Sequence, residues 1–201
     1  MPQRILYIQR PAGGGSSRSL YELVRGLDRN RFEPIVMFFH ENSLKEKFQE
    51  IGVKTITLDW PRKRAKIEGR PNKLISLLEV LTYEIPLAIK IIRIIKAEKI
   101  NLIHQNLAFE RSAMIAASVL RLPQICHFRH FSNVSRLKRW LASRVDAGIF
   151  ISNAIQSFYL KQSIPFGSSE VIYNPIDIES FVNVRQTSEI REEFGISNED
   201  K

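Results

Sequence analysis

The sequence predicts an α/β protein, a Rossmann-like open, mostly parallel sheet of about seven strands with helices on both faces. Three observations carry that expectation. Short apolar runs alternate with helical patterns from one end of the chain to the other. Three consecutive glycines, Gly13-Gly14-Gly15, separate the first run from the first helical pattern. The residues that end the runs are polar and mostly basic, as expected where strand ends form a ligand-binding rim.

Strands are expected near Arg4 to Gln9, Pro34 to Phe39, Val53 to Leu58, Asn101 to His104, Gln124 to Phe128, Ala147 to Ile151 and Glu170 to Tyr173. Leu20, Leu23, Val24 and Leu27 share one face of the first helix, with Ser16 or Ser17 as its expected N-cap. Ser43 is placed to cap a helix ending at Gly52, and Ser152 or Asn153 one running to about Gln162. The stretch from Leu74 to Ile95 is the most apolar, but Glu79, Glu84, Pro86, Lys90 and Arg93 interrupt it. It reads as an amphipathic helix kinked near Pro86, not as a membrane span.

At 201 residues, 44% apolar and 25% charged, the composition is that of a globular protein. Thirty Lys and Arg against 21 Asp and Glu give a net charge of +9, which favours anionic partners such as phosphorylated small molecules, nucleic acid or an acidic membrane surface. The single Cys126 excludes an internal disulfide and fits a reducing compartment. Met1-Pro2-Gln3-Arg4 leads straight into a strand with no apolar signal region, so a cytoplasmic location is expected. Arg62, Lys63, Arg64, Lys66, Arg70 and Lys73 crowd one Pro- and Gly-containing connection. With the adjoining apolar helix, they suit anionic lipid head groups and a peripheral place on the inner membrane face. No aromatic residue interleaves with them to stack on bases, so no specific nucleic-acid partner is expected.

The glycine run suits phosphate, because a loop without Cβ atoms lets a ligand lie against its amides ahead of a helix N-terminus. It completes neither common single-domain fingerprint: Arg18 stands where a dinucleotide loop wants a small residue, and Ser16-Ser17 follows where a P-loop has Lys-Ser/Thr. Around it the expected rim holds Gln9-Arg10, His104-Gln105-Asn106, His127-Phe128-Arg129-His130 and Ser152-Asn153, with Arg18, Arg111 and Arg136 close by in sequence. Arg, His and Asn can bind and orient phosphate and sugar hydroxyls. The His127-x-x-His130 pair has no carboxylate beside it, its neighbour Cys126 reads as a small buried strand residue, and two ligands make a poor site, so no metal is expected.

The most specific segment is Val171-Ile172-Tyr173-Asn174-Pro175-Ile176-Asp177-Ile178-Glu179-Ser180-Phe181. It resembles the interdomain crossover of GT-B glycosyltransferases of the family 4 type, an apolar strand followed by Asn-Gly or Asn-Pro, an aliphatic residue, Asp and, four residues later, Phe. The glycine loop, the Ile151-Ser152 strand end and the stretch from Ala113 to Pro123 agree in order. The resemblance implies an N-terminal lobe over residues 1–174 and, over 175–201, the crossover and the start of a second lobe. It implies retaining transfer of a sugar from a nucleotide-sugar donor, a substrate with no cofactor needed, to a sugar or lipid-linked acceptor in glycan, glycolipid or cell-surface polysaccharide synthesis.

The resemblance also implies roles: Gly13, Gly14, Gly15, Ser16 and Arg18 near the donor diphosphate, His104, Asn106, His127 and Arg111 toward the acceptor, and Arg129 or His130 by the reacting sugar. His130 stands where the similar subgroup has Glu, which leaves those last two open. A second lobe supplies the rest of the donor site in that family, so this chain alone is expected not to transfer sugar. Two other readings remain, a phosphate-ligand binding or regulatory module, and a NAD-binding protein with Glu41 as its ribose acid.

Overall fold

The computed structural model describes residues 2–10, 13–61, 77–107, 109–176, 178 and 193–195. Seven parallel strands form one sheet: β1 (Gln3–Gln9), β2 (Phe32–Phe38), β3 (Lys54–Thr57), β4 (Leu102–Gln105), β5 (Gln124–Phe128), β6 (Ala147–Phe150) and β7 (Ser168–Val171), in the order β3-β2-β1-β4-β5-β6-β7. The order reverses at β1, whose register pairs Tyr7 with both Val36 of β2 and His104 of β4. That reversal leaves a crevice beyond the carboxyl ends of β1 and β4.

Parallel partners share a face, and side chains alternate along each strand. Ile5, Tyr7, Val36 and Phe38 therefore point one way, where they pack with Leu20 and Val24 of α1 (Gly15–Arg25) and Phe48 of α2 (Lys45–Glu50). Leu6, Ile8, Ile35, Met37 and Ile103 point the other way, onto α3 (Ile85–Ala97) and α4 (Arg111–Leu120). Further along that second face Cys126, Phe128 and Phe150 pack with Leu141 of α5 (Arg136–Ala142) and Tyr159 of α6 (Asn153–Leu160). Burial of Cys126 raises its thiol pKa, which keeps it protonated and makes it an ordinary core residue.

Two local expectations are corrected. Neither Ser16 nor Ser17 caps α1: the N-cap is Gly14, at φ 85° and ψ −171°, and the Ser16 and Ser17 hydroxyls turn inward to the side chain of Gln9. That backbone region is essentially reserved for glycine. Ser43 does not cap α2 either, because Asn42 Oδ1 accepts from the amide of Leu44 at 2.9 Å and sets the turn first. The third helical pattern contains a π-turn, Val80–Glu84, that ends two residues before Pro86. A wider turn at that point accommodates a proline that lacks an N–H to donate. Ser152 does cap α6, accepting from the amide of Ile155 at 3.3 Å.

No helix among the described residues is long and apolar enough to cross a membrane. The basic run Arg62, Lys63, Arg64, Lys66, Arg70 and Lys73 lies outside the described residues, as do Asp177 and all of 179–192 and 196–201 in the expected second-lobe region.

Candidate functional site

The crevice at the strand reversal is filled by a connected set of polar side chains, Gln9, Ser17, His104, Asn106 and His127, each no more than 4% exposed. Polar groups withdrawn this far from water must be paired or held for a ligand. Asn106 sits at the centre. Its amide donates to Ile8 O at 3.0 Å, and Nδ2 donates to Gln9 Oε1 at 2.5 Å and Ser16 O at 3.0 Å. Gln9 Nε2 donates in turn to Ser17 Oγ at 2.9 Å, to which Asn42 Nδ2 also donates at 3.2 Å. The glycine loop is thus tied to the ends of β1, β2 and β4. Gly14 O receives the amides of Ser17 and Arg18, both at 3.1 Å, so the amides of Gly15 and Ser16 precede the first intrahelical bonds.

Arg129, just past β5, closes this network. Its Nε and one terminal nitrogen donate to Asn106 Oδ1 at 3.2 and 2.9 Å, and Nε also reaches Asn106 O. The other terminal nitrogen donates to Ser19 Oγ at 2.8 Å and to Asn174 Oδ1, while Ser19 Oγ itself donates to Asn174 Oδ1 at 3.1 Å. Every guanidinium nitrogen is engaged, yet every acceptor is neutral. Burial pushes the Arg129 pKa down to about 10. Even so, the group remains a cation at neutral pH.

Arg129 also donates to His127 Nδ1 at 3.2 Å, and a guanidinium has no acceptor to offer in return. The neutral ring therefore carries its proton on Nε2. His127 Nε2 and His104 Nε2 are both buried, with no hydrogen-bond partner among the described residues. The two rings lie 5.6 Å apart, and His104 packs against Tyr7 at 4.9 Å. Burial first, and then the nearby Arg129 charge, holds His104 at about pKa 3 and His127 at about 2. Both imidazoles are thus neutral at neutral pH.

The remaining expected residues stand apart from this cluster. Arg18, Gly14, Gly15 and His130 are exposed, and the backbone oxygen of His130 accepts from Tyr159 Oη at 3.1 Å. Gly13 and Ser16 are half-buried beside the crevice. Arg111 lies on the opposite side of the sheet, bound to Glu79 at 3.0 Å and to the buried Glu84 at 2.9 Å, as a brace between α4 and the helical segment before α3. Arg10 is likewise paired, holding Glu110 through two bonds of 2.6 and 2.8 Å. Glu41 points to Lys45 at 3.2 Å. The side chain of Arg136 lies outside the described residues.

Ser19 and Asn42 carry network roles that the sequence reading passed over.

A family model described as Glycosyltransferase Family 4 matches residues 13–180, spanning the glycine loop, the Asn106 to Arg129 network and the crossover. The chain belongs to glycosyltransferase family 4. Among solved structures, HepE from Anabaena in complex with UDP and glucose is 21% identical over 98% of this chain and 51% of its own, with a TM-score of 0.68. A glycosyltransferase from Rickettsia africae reaches 0.71 at 15% identity, over 98% of this chain and 51% of its own. MurG from Acinetobacter baumannii reaches 0.56 at 10% identity, over 92% and 50%. At these identities the likeness establishes the fold, and the family 4 chain described here spans about half the length of each. No curated protein sequence matches it.

Two predictions follow from this geometry. Because both histidines are held below their unfolded pKa of about 6.5, the unfolded chain takes up their protons first as pH falls. Stability should therefore drop from about pH 6.5 downward, by about 1.4 kcal/mol per pH unit for each histidine. Urea titrations between pH 7 and 5 should show this slope, and His104→Asn should remove about half of the histidine share. Separately, Arg111→Met takes the cation from the buried Glu84 and should lower unfolding stability by about 3 kcal/mol or more, with Glu84→Gln restoring most of it. An unchanged denaturation midpoint would return Arg111 to the ligand-binding residues.

Proposed function

We propose that this chain forms the acceptor-side lobe of a retaining glycosyltransferase, which moves a sugar from a nucleotide-sugar to an acceptor hydroxyl. The observation that carries the reading is the half-buried Arg129 cation, held only by neutral acceptors one residue contact away from the glycine loop. In the reaction, the bond between the sugar and the diphosphate breaks, the diphosphate leaves with the bonding pair, and the acceptor oxygen takes its place and passes its proton to the departing phosphate oxygen. Negative charge develops on the leaving diphosphate, where a preplaced guanidinium and helix-start amides stabilise it most. Gly13, Gly14, Gly15, Ser16 and Arg18 take the diphosphate side. Arg129, rather than the exposed His130, stands by the reacting sugar, with His104, Asn106 and His127 lining the acceptor side. UDP, which HepE holds, is the corresponding donor nucleotide. The donor's other contacts come from a second lobe, as the family resemblance implies, so sugar transfer needs both lobes.

The acceptor is a glycan or lipid-linked sugar, met at the cytoplasmic face of a membrane. Leu77, Leu81, Ile85 and Ile89 recur every fourth residue on the helical segment that ends in α3, and all four are exposed, at 37% to 55%. Arg93 and Lys96 continue the same helix with exposed positive charge. An exposed apolar stripe ending in cations suits the interface of an anionic bilayer.

The chain should therefore bind UDP-glucose weakly and NAD not at all in calorimetric titration, and a supplied donor-side lobe should strengthen UDP-glucose binding by about tenfold or more. Tight NAD binding by the chain would overturn this reading in favour of a dinucleotide site. For the membrane contact, vesicles with anionic phospholipid should sediment the chain and neutral vesicles should not. Leu81→Asp with Ile85→Asp should cut that binding by about tenfold, since charge on the inserted face opposes burial, whereas equal sedimentation of the double variant would remove this helix from the contact.

A further inference from the structure

Arg129 joins three parts of the chain that are distant in sequence: Asn106 after β4, Ser19 in the first turns of α1, and Asn174 in the crossover after β7. Its bonds fall into two sets. Nε and one terminal nitrogen face inward to Asn106 and His127, whereas the other terminal nitrogen meets Ser19 and Asn174 nearer the surface. The inner set fixes the plane of the guanidinium. The outer set, together with the bond that Ser19 Oγ donates to Asn174 Oδ1 at 3.1 Å, holds the crossover against α1 through the Asn174 side chain.

We propose that Arg129 couples an anionic group in the glycine-loop crevice to the interdomain crossover: a phosphate takes the outer N–H groups from Asn174 and Ser19, and the crossover, left with only the bond from Ser19 Oγ to Asn174 Oδ1, is loosened from α1. The proposal rests on the reading that a diphosphate enters this crevice. Its physical basis is competition for one nitrogen. Asn174 Oδ1 is a neutral acceptor, and a phosphate oxygen paired with a guanidinium makes a hydrogen bond roughly twice as strong. Arg10 and Arg111 cannot respond in this way, because carboxylates of Glu110, Glu79 and Glu84 already hold them. Asn106 keeps Arg129 in place throughout, so the exchange needs a change of partner and no movement of the arginine. Arg129 is then a positioning residue for the crossover as well as a group that meets the ligand.

The test measures pyrophosphate binding to the chain by calorimetry and, in parallel, amide hydrogen exchange of residues 172–176. In the unsubstituted chain, saturating pyrophosphate should speed exchange of the crossover amides by about tenfold. Asn174→Ala should already exchange at the fast rate without ligand and should bind pyrophosphate about three- to tenfold more tightly, because one competing bond is gone. Arg129→Lys keeps the charge without the fork and should exchange fast with or without pyrophosphate. Binding with unchanged or slower crossover exchange would overturn the coupling while leaving the diphosphate reading intact. No pyrophosphate binding at all would overturn the diphosphate reading, and the coupling with it.

Discussion

The site depends on how one carboxamide is used. The reversal of strand order between β1 and β4 leaves the ends of both strands facing a gap, and the side chain of Asn106 fills it. Its two donors satisfy Gln9 and the carbonyl of Ser16, and its oxygen receives Arg129 twice over. An apolar residue there would strand three polar partners, Gln9, the Ser16 carbonyl and Arg129, and an aspartate would neutralise the arginine. Only a group that donates on one side and accepts without charge on the other can hold the glycine loop and still leave a cation available. The short loop between β4 and α4 is held as well, since Gln105 Oε1 accepts from the amide of Glu110 at 2.6 Å.

That neutrality separates the arginines around the rim. Arg10 and Arg111 have carboxylate partners, so their charge is spent within the fold and their contribution is to brace helices against the sheet. Arg129 has none among the described residues, and the two histidines beside it are driven to the neutral form by burial and by its field. The crevice therefore carries one concentrated positive charge with uncharged imidazoles beside it. A site that had to bind a polyanion tightly by itself would want several unpaired cations. This arrangement suits a ligand whose charge is shared with a second surface.

Much of this was legible in the sequence, and the reasons differ by residue. Every strand was readable because buried parallel strands are short apolar runs, and boundaries shifted by at most two residues. The polar strand ends named His104, Asn106, His127 and Arg129, because in an open sheet those positions face the rim whatever the details of packing. What could not be read was which side chains would be used up inside the fold. Arg111 and Arg129 look equivalent as letters, and only the turn of the helical segment around Pro86, which brings Glu79 and Glu84 beneath α4, distinguishes them. The caps failed for a related reason: Ser16 and Ser17 have ordinary capping chemistry, but Gln9 offers a buried amide that competes for their hydroxyls, and Gly14 needs no side chain to start the helix.

The exposed apolar residues extend the same logic from charge to surface. Tyr173, Ile176 and Ile178 in the crossover are each about two-thirds or more exposed, at 67%, 69% and 71%. Isolated exposed apolar side chains need no explanation, but these three lie within six residues and flank Asn174, whose side chain meets Arg129. Water there is in contact with hydrocarbon and with an incompletely neutralised cation together. A second surface closing on this edge would remove both, burying the apolar side chains while lowering the dielectric around Arg129, which strengthens any ion pair the arginine makes with a ligand. Closure and anion binding would then favour each other through a single strip of chain, the one that Asn174 fastens to α1.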